Sequence, residues 1–314
     1  MAEKNIKKKL KRNEIELILM ASISVVFLAI FAYLPMFGIV LAFKDGDNKL
    51  NILSAIFNSR WVGFDNFKAF LNDPHFVEVI LNTLGLNLTM LLINFPLPII
   101  FALLINEVRH VTFRKSVQTI ANLPHFLSWI VFGGLVIAMT DRSTGVITEV
   151  LNILGVSDPY DPINLMDAQY FWGVMIISSA IKGIGWGSIV YVAAISSIPQ
   201  DFYESADIDG ANRFQKCIFI TVPSIAGTIT VFLLLRISDL LTNSFEQFHS
   251  LQNVNNIDKS EVIATYVYKM GISYHRYSYT SAMSLFNSII SVILLLSADF
   301  LSRKLTERGL FTND

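Results

Sequence analysis

Six long apolar stretches punctuate the chain, at residues 15–41, 80–105, 117–139, 172–194, 218–241 and 282–302. Each reaches the length of about 20 residues that a helix needs to cross roughly 30 Å of hydrocarbon. The pattern predicts an all-α chain with six membrane-spanning helices. The first stretch follows the basic run KNIKKKLKR. It is too long for the apolar centre of a signal peptide and no small-x-small cleavage site closes it, so it reads as a retained span. Pro35, Pro96, Pro98, Pro124 and Pro223 lie in or beside the stretches. In a water-soluble helix interior each would cost about 3 kcal/mol, whereas neighbouring helices in a packed bundle re-satisfy the freed carbonyls. Kinked spans are expected, whether the kinks shape a cavity or only serve packing.

Composition points the same way. Of 314 residues, 53% are hydrophobic and 16% charged, with a mean hydropathy of +0.52; an ordinary soluble domain carries about 25% charge. This excludes a disordered chain, a collagen-like fibre and a typical cytosolic enzyme. A net charge of −1 leaves no bulk basic field for nucleic acid. Cys217, the single cysteine, excludes an intrachain disulfide and a cysteine-based zinc cluster. Lysine and arginine are unevenly shared between the two sides. Segments 1–14, 107–116, 195–217 and 303–314 hold 14 basic residues in 59, and segments 42–79, 140–171 and 241–281 hold 8 in 111. Basic residues mark the cytoplasmic side, so both termini are expected in the cytoplasm of a cell that carries the chain in its cell membrane, surrounded by lipid.

Catalytic patterns are missing. The five histidines form no i,i+3 or i,i+4 pair, and neither HExxH, GxSxG nor a GxxxxGK[ST] phosphate loop occurs. No cofactor or metal is expected in the chain itself. The run GIGWGS from Gly183 is not GxGxxG and sits inside a span, where small residues serve close helix approach. Ser284, Ser288 and Ser291 recur at helical spacing beside Asn287 in the last span. That stripe points into a bundle, either for helix–helix hydrogen bonds or as the lining of a solute path. Asp299 and Arg303, four apart, should pair. Asn82, Asn87 and Asn94 in the second span need partners that the sequence does not name. Lys182 lies in mid-span and Arg236 in the outer half of the fifth span. A charge at the bilayer centre costs at least about 2.5–3.5 kcal/mol and faces a bundle interior or aqueous cavity. Arg236 can snorkel or pair with Asp239. Lys182 has no acid within a turn, so it needs a partner on another helix or a water path, for structure or for contact with a solute.

The loop 195–217 is the most informative segment. Pro199 suits the first turn of a helix, Phe202, Tyr203 and Ala206 then share one side, and Asp209-Gly210 stops the turn, glycine favouring the left-handed conformation. A second short helix from Ala211 would lead back to Val222-Pro223. By itself this describes an amphipathic connector lying on the membrane surface.

The run ESADIDGANRFQKCIFITVP from Glu204 resembles the EAA loop of permease subunits of binding-protein-dependent ABC importers. Glu204, Ala206, Gly210, Ile220 and Pro223 match the pattern in register, while Ser205 and Val222 depart from it. The stretches YLPMFGIVLAFKD, WVGFDNF, LPHFLSWIV, GWGSIVYVAA and LTERGLF extend the resemblance end to end, to the LplB-type sugar permease branch. The resemblance implies one permease domain over 1–314, with a five-helix MetI-like core at about 78–302 and the coupling loop at 195–217. It also implies a second homologous permease, two ABC ATPases that hold ATP and Mg, and an extracytoplasmic solute-binding protein. Phe202, Tyr203, Glu204, Ala206, Asp209, Gly210 and Ala211 would then seat in an ATPase groove, and the chain itself would do no chemistry. Its cargo would be oligosaccharides, acidic ones derived from polysaccharide included, with Lys182, Arg236, Ser284, Asn287, Ser288 and Ser291 as candidates for the path. The alternative is an ion-gradient-driven secondary transporter of a polar solute, which calls for mid-membrane carboxylates and an inverted repeat; neither is visible in the sequence.

Overall fold

The computed structural model describes residues 12–306 except 48, 50, 242 and 243. Most of the N-terminal basic run and of the LTERGLF tail falls outside these residues. Ten helices carry the argument. They are α1 Glu16–Phe43, α2 Pro74–Glu107, α3 Val111–Phe126 and α4 Trp129–Met139, then α5 Ala168–Ser196 and α6 Gln200–Ile208. After these come α7 Arg213–Leu241, α8 Phe245–Leu251, α9 Ile263–Tyr268 and α10 Tyr277–Thr306. Five of these helices, α1, α2, α5, α7 and α10, are long and apolar enough to cross a membrane. Isolated bridges at Lys44–Trp61 and Asp158–Asp161 are the only strand-like pairings among the described residues.

The third expected span, 117–139, is not one kinked helix. It is divided into α3 and α4, bent by 102°. Pro124 sits in a tight 3-10 turn, Leu127 turns extended (ψ 140), and Ser128 starts α4 by accepting from the Val131 amide at 3.3 Å. Proline removes a donor and disfavours helix in the residue before it; an N-cap serine placed just beyond then restarts the helix in a new direction. Pro96 and Pro98 act more gently, because the first turn of a helix tolerates a missing amide and α2 continues past them.

Three clusters hold the bundle along its length. Phe70, Tyr266, Tyr279 and Met283 fill one end, Leu86, Met175, Phe248 and Leu251 the middle, and Ala102, Tyr191, Ile195 and Ile225 the other end. The helix α1 stands apart: its most apolar stretch has no buried residue, and only its last turns, at Leu41 and Ala42, pack inward. The three asparagines of α2 find carbonyls on three different elements. Asn82 donates to Asp258 at 2.8 Å, Asn87 to Leu240 at 2.7 Å and Asn94 to Ile176 at 3.2 Å. In hydrocarbon, polar groups are satisfied only within the protein, so these bonds set the position of α2 in the bundle. Arg303 and Asp299 pair at 2.8 Å, as their spacing predicts.

Candidate functional site

A cavity of about 400 Å³ lies midway along α2 and α5, closed on a third side by α7. Asn87, Asn94, Ser179, Tyr191, Arg236 and Asp239 give it polar groups, and Trp186 and Phe232 give it aromatic faces. Ser179, Gly183, Trp186 and Val190 recur at helical spacing, so one face of α5 forms a wall. That periodicity is present in the sequence, but glycines inside a span signal helix packing, and nothing local marks the indole of Trp186 between them as facing a cavity. Arg236 and Asp239 are both exposed to the cavity. Among the described residues no ion pair joins them, contrary to the pairing the one-turn spacing allows.

Of the six path candidates, only Arg236 lines this cavity. Asn287 donates to the Leu241 carbonyl at 3.2 Å and Ser288 to the Ser284 carbonyl of its own helix at 2.9 Å, while Ser291 is turned inward. Asn287 therefore ties α10 to the end of α7, the helix–helix use of the stripe. Lys182, 7% exposed, also lies away from the cavity. Its ammonium donates to the carbonyls of Pro124 at 3.0 Å, His125 at 3.2 Å and Leu127. The partner that its mid-span position demanded is the main chain of the broken span. An unsatisfied carbonyl at this depth would cost on the order of several kcal/mol, and the cation also complements the negative end of α3.

At one end of the bundle α6 and the foot of α7 form the predicted helical pair. Gly210 takes φ +75°, the Ala211 amide returns to the Ala206 carbonyl at 2.9 Å and the Gly210 amide to Asp207 at 3.2 Å. This is the double bond pattern that closes a helix through a left-handed residue. Pro199 precedes the helix as its cap instead of occupying its first turn. The second helix starts at Arg213, two residues later than expected. There Asn212 and Gln215 cap each other reciprocally at 2.9 and 2.8 Å. It is not a separate element: a wider turn at Cys217–Thr221 absorbs the missing amide of Pro223 and runs straight into the span. Phe202, Ala206 and Tyr203 fall within one arc of α6, as their helical spacing predicts, but the edges of that arc meet different surroundings. Tyr203 and Ala206 turn toward the protein, while Phe202 is 58% exposed alongside Ile208 and Phe214. Glu204, Asp209 and Gly210 are exposed and Ala211 half-buried.

The opposite end is held by a polar knot. One oxygen of Asp73 accepts from Tyr266 at 2.8 Å and Tyr279 at 2.7 Å, and its other oxygen caps the start of α2 through the His75 amide at 3.0 Å. Burial works to raise the Asp73 carboxyl, but these hydrogen bonds outweigh it and hold the pKa below the usual carboxylate range. Burial and the neighbouring carboxylate push the Tyr266 phenol up to about 12. Asp47 caps α10 from outside, accepting from the amides of Ser278 at 2.8 Å and Tyr279 at 3.2 Å.

Comparison with known proteins gives this architecture its family. The model of the binding-protein-dependent transport system inner membrane component matches residues 81–308. Protein LplB of Bacillus subtilis (strain 168) is 39% identical over 286 residues, covering 91% of this chain and 87% of that protein. The polygalacturonan/rhamnogalacturonan transport system permease protein YteP of the same organism is 36% identical over 287 residues, covering 91% and 87%. Among solved structures, a chain of a bacterial alginate ABC transporter in complex with an alginate pentasaccharide-bound periplasmic protein superposes with a TM-score of 0.83. It is 36% identical, and the match covers 95% of this chain and 98% of that one. These matches run across the whole bundle, and the chain belongs to the family of binding-protein-dependent transport system inner membrane components, with the MetI-like permease fold.

Proposed function

We propose that this permease is the membrane path for oligosaccharides, acidic ones included, in an ATP-driven importer. The observation that carries the reading is the mid-bundle cavity, which offers aromatic faces and one cation to a solute crossing between α2, α5 and α7. Aromatic faces suit sugar rings, and in a partly desolvated cavity the Arg236 charge is screened less than in water. Relatives named for polygalacturonan and alginate transport support an anionic cargo. A second homologous permease, two ATPases holding ATP and Mg, and an extracytoplasmic binding protein complete the assembly. Both termini and α6 lie on the cytoplasmic side. The exposed Phe202, with Glu204, Asp209 and Gly210 beside it, meets an ATPase, and closure of the ATPase pair rocks the spans between inward-facing and outward-facing states.

The test is uptake into vesicles carrying the full complex with its binding protein. The cargo is an oligogalacturonate or a neutral galactose oligomer of equal length. Uptake of both is expected to need ATP and the binding protein. Arg236→Gln should lower uptake of the acidic chain at least about tenfold more than that of the neutral one, the equivalent of about 1.4 kcal/mol. Equal loss would remove Arg236 from charge recognition. Uptake driven by an ion gradient without ATP would replace the importer by a secondary transporter.

A further inference from the structure

The Lys182 side chain uses an ammonium group's full donor capacity on one structural feature. Lysine offers three donors and no acceptor, and three main-chain oxygens, those of Pro124, His125 and Leu127, receive them. The rings of Trp129 and Phe132 lie 5.2 and 5.6 Å from the same nitrogen and complete the enclosure. No donor remains for a cargo carboxylate. All of these groups belong to the junction where α3 and α4 bend by 102°.

Two further contacts fasten the same junction to the same stretch of α5. Gly185 lies against the Ala121 main chain so closely that a Cβ would overlap the Ala121 carbonyl. One residue on, Trp186 stacks on His125 with ring centroids 4.4 Å apart and planes 3° from parallel. Trp186 is also part of the cavity wall. The chain of contact therefore runs from Lys182 to the carbonyls of the junction, from the junction to the His125 ring, and from that ring to the indole facing the cavity.

We propose that Lys182 is a positioning residue for transport: its ammonium clasps the broken span, and the clasped junction, through His125, fixes the Trp186 face of the cavity. The clasp exists because hydrocarbon supplies no donors to the carbonyls that a broken helix leaves open. A lysine from the neighbouring helix supplies all three at once. Its charge serves the bend, and cargo selection rests with other groups.

The test measures the bend directly and then transport. With Cys217→Ser, spin labels at Val111→Cys and Met139→Cys span the junction in the full complex. At about 1.5 Å per helical residue, straightening it would lengthen that distance by more than about 10 Å. The clasp predicts one narrow distance with Lys182 present and a broadened, longer distribution in Lys182→Met. Gly185→Val, which keeps the ammonium but pushes a side chain into the Ala121 main chain, should broaden it likewise. Lys182→Arg, which keeps several donors, should retain a narrower distribution than Lys182→Met. In vesicles, Lys182→Met should lower uptake of acidic and neutral oligosaccharides by the same factor. An unchanged distance in Lys182→Met, or loss confined to the acidic cargo, would overturn the proposal. If Lys182→Met fails to insert, the Gly185→Val distance decides: unchanged, it overturns the clasped junction; broadened, it supports it. The distance needs no cargo, so it stands independently of the oligosaccharide reading, on which only the uptake arm rests.

Discussion

The Tyr203 hydroxyl lies 2.9 Å from Thr221 Oγ1, joining α6 to the turn at the foot of α7. Thr221 is buried at 4% exposure, so the bond ends on a fixed point of the bundle. Lys216 and Asp207 add an ion pair at 2.6 Å, and Arg213 reaches Glu107 at 4.0 Å. Exposed pairs of this kind contribute about 0–1 kcal/mol, so the half-buried Tyr203 bond is the firmer tie. These contacts connect α6 to α7, the helix that provides one wall of the cavity.

Tyr203→Phe keeps the ring and deletes the tie, at about 0.5–1.5 kcal/mol. The expected outcome in the assembled complex is looser coupling. Cargo imported per ATP hydrolysed falls several-fold, while the subunit still inserts and still co-purifies with its partners. The ratio of uptake to phosphate release, measured on the same vesicles, checks this. An unchanged ratio would make the bond irrelevant to coupling.

Gly210 holds φ +75°, where a side chain costs about 1–2 kcal/mol. Gly210→Val should distort the turn between α6 and Asn212 and abolish uptake, with normal membrane insertion. Gly210→Asn, a residue that tolerates this conformation better, should retain a measurable part of it. If valine and asparagine variants transport equally, the left-handed turn is not what coupling requires.

The Asp73 knot predicts a pH window. The folded-state pKa of Asp73 lies below its unfolded value of about 3.9. Its stabilisation is complete above that value and is lost as pH falls through the folded pKa. For Tyr266 the folded value is raised to about 12 from the ordinary phenol value of about 10. Its contribution is therefore full below about 10 and disappears as pH climbs toward about 12. Thermal stability in detergent should be level between these limits as far as these groups are concerned. Asp73→Asn should lower Tm at neutral pH, for a loss of about 1–3 kcal/mol, and flatten the acid limb. An acid limb identical to that of the parent protein would show that Asp73 does not set it.

Orientation can be read by labelling in a Cys217→Ser background. Cysteines at Asp158 and Asn255, both exposed at the end of the bundle opposite α6, should react with an impermeant maleimide added to intact cells. A cysteine at Thr112, exposed at the α6 end, should react only after the membrane is opened. External labelling at Thr112 would invert the orientation that the basic residues indicate.

Much of this protein follows from local sequence alone. Runs of some 20 apolar residues dictate spans because hydrocarbon cannot hydrate a backbone, and the helix-stopping Gly210 follows from sterics within one residue. The Asp299–Arg303 pair follows from helical spacing. All three are local effects, each complete within one continuous stretch of chain. The cavity, the junction and the knot are different in kind. The sequence shows Pro124 but not that α3 and α4 part by 102°, because the direction of a break is chosen by what pays for its open carbonyls, and Lys182 stands 55 to 58 positions away. It shows Asn82, Asn87 and Asn94 as polar but not their acceptors, which lie on other helices. It marks Lys182 and Arg236 as costly cations without showing what each one faces. Only the packing of α5 against α3, and of α7 across α2, turns one into a main-chain clasp and leaves the other facing a cavity, because the cost of a buried charge is set by neighbours that the tertiary fold brings to it.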